Sequence, residues 1–100
     1  TVLIRACENE NKEMVEFLIK NGADVNKETK NGETALIAAC KNGNETIVKC
    51  LIENEVDIDM ETKYGKTALI ISCESGNEKM IKSLIENGAN VNKENKNGET

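Results

Sequence analysis

Residues 34–66 read TALIAACKNGNETIVKCLIENEVDIDMETKYGK, and this stretch decides the fold because the chain repeats it in altered form. Thr34-Ala35-Leu36-Ile37 recurs as Thr67-Ala68-Leu69-Ile70, and the same frame one step earlier is Thr1-Val2-Leu3-Ile4. The offset is 33 residues at each step; Cys7, Cys40 and Cys73 obey it, as do Leu18, Leu51 and Leu84, and Gly32, Gly65 and Gly98. The first and second units are identical at 16 of 33 positions, and so are the second and third. Shared composition alone would give only a few matches, so the whole chain is internal repetition, the mark of stacked units.

Within the middle unit, Thr34 to Asn42 carries small and apolar residues and predicts a short helix that Gly43 stops, because glycine accepts the left-handed conformation at a helix end. Asn44 is placed to cap a second helix, with Glu45 favoured in its positively polarised first turn. Ile47, Val48, Leu51 and Ile52 then form one apolar helix face. Gly22 and Gly88 follow the second helix in the flanking units. The polar link from Val56 to Lys66 closes on Tyr64-Gly65, and its neighbours on Asn31-Gly32 and Asn97-Gly98, pairs that favour tight turns. Helices of about nine to eleven residues are not stable alone in water. Each pair carries more apolar surface than it can bury internally, and stacking pair on pair into a solenoid buries it.

Two short helices and a turn at this period resemble the ankyrin repeat. Gly32, Thr34, Leu36, Ala39, Gly43, Val48, Leu51 and Asp57 carry the likeness, together with Asn21-Gly22-Ala23-Asp24-Val25-Asn26 and Asn87-Gly88-Ala89-Asn90-Val91-Asn92 after the second helices. The resemblance implies an all-α ankyrin-repeat solenoid of helix-turn-helix units joined by β-hairpin-like loops. It forms one domain over residues 1–100 with frames 1–33, 34–66 and 67–99, Thr100 opening the next. The family's proline is replaced by Val2, Ala35 or Ala68, and its histidine by Ile4, Ile37 or Ile70. Thr34 and Thr67 must therefore cap the backbone without an imidazole, and isoleucine adds apolar packing instead. Glu10 and Glu55 stand where glycine is expected, at a cost of about 1 kcal/mol for a left-handed non-glycine residue. Those two corners should be looser or differently wound.

Composition narrows the function. There are 13 basic and 18 acidic side chains, a net charge of −5, and no histidine. Ser-His and Cys-His nucleophile pairs and histidine-ligated metal sites are thereby excluded. One Phe and one Tyr give no stacking platform for single-stranded nucleic acid, and the acidic balance opposes a polyphosphate partner. No apolar run approaches the roughly 20 residues that span a bilayer. No Cys-x-x-Cys pair is present. No catalytic residue, cofactor or metal is therefore expected. In the resembled fold, stacked units lie too far apart for a disulfide between Cys7, Cys40 and Cys73. These three read as small buried hydrophobes, and Cys50 as structural too. Free thiols fit a reducing compartment, and the expected location is intracellular, in the cytoplasm.

Other features carry bland readings. Asp57-Ile58-Asp59-Met60-Glu61 lacks the glycine and glutamate of a calcium loop, with Thr62 and Ala68 in their places. Asn44-Glu45-Thr46 matches a glycosylation sequon by chance in an Asn-rich chain. Glu33, Lys66 and Glu99 share one rung and Glu8, Lys41 and Glu74 another, so neighbouring rungs are expected to pair across the stack, and the same strip reads equally as a mixed-charge face for a partner. The chain lacks polar end caps, which makes a piece of a longer, monomeric array the expectation. Met80, Ile81, Leu84 and Ile85 should then expose apolar area.

What the resemblance implies about function is a protein-binding surface made of turn tips and first helices. Mapped onto this chain, the tips are Lys30, Asn31 and Glu33; Lys63, Tyr64 and Lys66; and Lys96, Asn97 and Glu99. The first helices supply Glu8, Asn9, Lys41, Asn42, Glu74 and Ser75. These positions are polar and vary between units, while the apolar ones recur. Tyr64 reads in two ways: as an interface anchor, since tyrosine is enriched among hot spots, or as a partly exposed ring lying on a neighbouring turn. The expected role is a non-enzymatic scaffold that binds another protein. The alternative is an architectural spacer in a larger protein.

Overall fold

In a computed structural model of the chain, residues 1–92 are described. Six helices follow one another with no strand among the described residues: α1 (Val2–Glu8), α2 (Lys12–Lys20), α3 (Ala35–Lys41), α4 (Glu45–Glu53), α5 (Ala68–Ser75) and α6 (Glu78–Glu86). The first helices stack in a row, α1 on α3 on α5, and each packs against its own second helix. α2 and α4 form a parallel row behind them.

Local chemistry sets the helix starts. Thr1, Thr34 and Thr67 each accept a hydrogen bond at Oγ1 from the amide three residues on, at 3.1, 3.3 and 3.2 Å. The threonine hydroxyl thus works as a cap with no imidazole beside it. Asn11, Asn44 and Asn77 cap the second helices in the same way, at 3.1, 3.0 and 3.1 Å. The Asn44 side chain is doubly engaged, because its Nδ2 also donates to Glu10 Oε1 at 3.5 Å.

The two glutamates at glycine positions behave differently from each other. Glu10 has φ 56°, close to the 66° and 71° of its counterparts Gly43 and Gly76. Glu55 has φ 64°, whereas Gly22 and Gly88 open to 95° and 98°. The first corner therefore keeps the glycine winding, and the second is wound differently because a Cβ resists the wider angle.

The loops are tied within and between units. Thr29 N donates to Glu33 O at 2.9 Å, and Thr62 N to Lys66 O at 2.9 Å, closing each turn. Lys63 N donates to Asn31 O at 2.8 Å, joining one turn to the next. Gly32 sits so close to that neighbour that a Cβ there would lie 3.0 Å from Lys63 N and Thr62 Cα. Further back, Asp57 N donates to Asn26 Oδ1 at 2.6 Å and Asn90 N to Asp59 Oδ1 at 3.0 Å.

One apolar spine runs through all three units. Leu36, Leu51 and Leu84 are almost fully buried in it, and Leu69 packs against it partly exposed. Ile4 and Ile37 belong to this core, as expected for replacements of a polar residue, whereas Ile70 is only partly buried and lies outside it. Met80 and Leu84 are fully buried, contrary to the expectation of an exposed last helix; of that face Ile85 is exposed. The cysteines also need correction. Cys7 and Cys40 are buried, but Cys73 is exposed. The reason is the stack itself: α3 covers α1 and α5 covers α3, while no first helix follows α5 among the described residues.

Candidate functional site

A groove of about 800 Å3 opens along the loop side of the second and third units. Asn31 and Glu33 enter it from the first loop, and Tyr64 and Lys66 from the second. Lys41, at the end of α3, and Glu74 and Ser75, at the end of α5, form the other side. These seven are among the residues mapped from the sequence as a binding surface. Thr62 and Ile71 also line the groove, and sequence reasoning missed both. Ile71 replaces Ala38 and Arg5 of the other units, and that switch to a branched apolar side chain at a first-helix position was the available signal.

The remaining mapped residues lie elsewhere. Lys30 and Lys63 border a smaller depression with Glu28, Gly32 and Glu61. Asn42 is occupied in the stack: its Nδ2 donates to the carbonyls of Glu8 at 3.2 Å and Cys7 at 3.4 Å. Lys96, Asn97 and Glu99 lie outside the described residues.

Electrostatics in the groove differ from the rung pairing expected across the stack. Lys41 Nζ lies 2.7 Å from Glu33 Oε2, and Lys66 Nζ lies 3.0 and 2.8 Å from the two carboxylate oxygens of Glu74. Each pair joins a loop tip to the last turn of the helix that the loop enters. Two helical turns from Thr34 return the chain to the face it came in on, which brings Lys41 back over Glu33. The polarity reverses from one unit to the next, acid then base at the tips and base then acid at the helix ends. Both pairs are partly exposed, so each is worth only about 0–1 kcal/mol.

Tyr64 supplies the aromatic wall. It is 68 % exposed, and Lys63 Nζ stands 5.2 Å from its ring centroid. The floor is Ile71, which is 8 % exposed. Thr62 Oγ1 is committed to the turn, accepting from Tyr64 N at 3.2 Å and Lys66 N at 3.3 Å. The tyrosine backbone is thus held while its ring stays exposed beside the groove.

The cysteines take no part in this groove. Burial pushes the Cys40 thiol up to about 11, with a Ser72 hydrogen bond pulling the other way. Burial does the same to Cys7, also to about 11, helped by Cys50 and Glu8 nearby. Such thiols are poor nucleophiles near neutral pH. Among the described residues no group of three or more His, Cys, Asp or Glu side chains could hold a metal ion. Nor is any described helix long and apolar enough to cross a membrane.

A family model described as ankyrin repeats (3 copies) matches residues 3–95. No curated protein matches the chain.

Proposed function

The chain belongs to the ankyrin-repeat family, whose members are generally non-enzymatic protein–protein interaction modules, and we propose that it binds a partner protein in the groove between its second and third units. The observation that supports this reading is the convergence of variable side chains from two loops and two helix ends on one cleft beside an exposed tyrosine. The scaffold below is a continuous buried spine, so the groove is presented with little reorganisation on binding. Tyr64 is the anchor, Ile71 the apolar floor and the two ion pairs a polar rim. The free thiols favour a reducing compartment, and the cytoplasm is the proposed location.

The test is affinity capture with the intact chain, followed by titration of the retained protein. Tyr64→Ala is expected to weaken it by about 1–2 kcal/mol, the cost of truncating an interface anchor. No change would remove the tyrosine from the interface. An architectural spacer predicts a different outcome: charge reversal at Lys41, Lys63 and Lys66 together would leave every interaction of the protein intact.

A further inference from the structure

The two helix ends beside the groove differ from the preceding pair in one side chain. Asn42, at the end of α3, reaches back across the stack and donates to the carbonyls of Glu8 and Cys7 at the end of α1. The equivalent residue at the end of α5 is Ser75. Its shorter side chain turns back on its own helix, donating from Oγ to Ser72 O at 3.1 Å. The carbonyl of Lys41, the counterpart of the Glu8 carbonyl, consequently accepts no hydrogen bond among the described residues. Ser75 and Lys41 both line the groove.

Resting on the reading that this groove takes a partner protein, we infer that it recognises a side-chain carboxamide of that partner, a glutamine or asparagine that restores the missing amide–carbonyl clamp. The molecule carries its own template for this contact in Asn42. Charge complementarity selects the neutral amide. The groove's two lysines and two glutamates are paired with each other, so no full charge is left to satisfy. What is left is a helix C-terminal carbonyl, which bears partial negative charge and calls for a donor. An arginine would bring a further cation beside Lys41, Lys66 and Lys63. A carboxylate would face that carbonyl together with Glu33 and Glu74. The carboxamide's aliphatic stem, by contrast, rests on Ile71 and the Tyr64 ring.

The test titrates acetyl-Gly-Gln-Gly methylamide into the full chain and follows the backbone amide NMR signals of Tyr64, Lys66 and Ser75. Peptides with Arg, Glu or Ala in the central position are run alongside. The glutamine peptide is expected to give saturable shifts at these three signals, with the others binding about tenfold more weakly, the effect of one hydrogen bond. Ser75→Asn, which supplies the clamp from within, should abolish the response. Ser75→Ala should keep it, since the Ser75 hydroxyl is bonded to its own helix. An equal response to the Ala or Arg peptide, or a full response in Ser75→Asn, would overturn the inference. If the glutamine peptide fails while Tyr64→Ala still weakens the captured partner, the carboxamide is refuted and the groove remains the binding site.

Discussion

The seam between the first and second units and the seam between the second and third share the same helix packing and differ at their helix ends. In the first, α3 packs on α1, Cys7 is sealed beneath, and Asn42 bolts the two helix ends together. In the second, α5 packs on α3 and Cys40 is sealed, but Ser75 makes no bolt and a groove opens beside Tyr64. The spine holds both seams, and they differ in whether a polar side chain ties the two helix ends together.

The strongest way to break the comparison is to attack what both seams share. Leu36→Ala removes a side chain that is 1 % exposed in the common core. It is expected to cost about 2–5 kcal/mol in urea unfolding monitored by circular dichroism, with both seams lost together. A cost under about 0.5 kcal/mol, the range of an ordinary surface substitution, would deny a shared spine.

Alkali should act on the same core more gradually. Cys7 and Cys40 titrate near 11 in the fold against an ordinary 9.0, so the unfolded chain loses those protons first. The stability they contribute is whole below pH 9 and is lost as pH rises from 9 to 11. Melting temperature should fall through that window in the wild type and fall less in Cys7→Ala/Cys40→Ala. A parallel fall in both proteins would show that these thiols are not responsible.

Asn42→Ser sharpens the contrast by converting the first seam into the second. It should cost about 1 kcal/mol, the net worth of a hydrogen bond, without changing the helical spectrum. An unaltered melting temperature would mean that the amide holds nothing. The smallest effect belongs to the rim: Lys66→Gln should change stability by less than about 0.5 kcal/mol, because that pair is half exposed.

Much of the repeat logic was written in local residue types. The 33-residue offset, the threonine and asparagine caps and the left-handed corners follow from interactions within a few residues of each other, and the sequence displays them directly. What crosses from one unit to the next was less legible. Glu33 and Lys41 pair along the chain, not across rungs, because helical geometry outweighs linear spacing. Cys73 occupies the same frame position as Cys7 and Cys40 yet lies exposed, since burial is conferred by the following helix and not by the residue. Asn42 looked like one more surface residue, and nothing in its own unit indicates that it reaches Glu8. Ile71 was hidden by its apolar type, which reads as core until its place at the groove floor is known.

The measurement that bears most directly on the open seam is calorimetric titration of the captured partner against wild type and Ser75→Asn, with melting temperatures taken on the same samples. Closing the mouth should raise the melting temperature and weaken the partner about tenfold or more. Unchanged affinity in a stabilised Ser75→Asn protein would contradict the account and place recognition elsewhere on the stack.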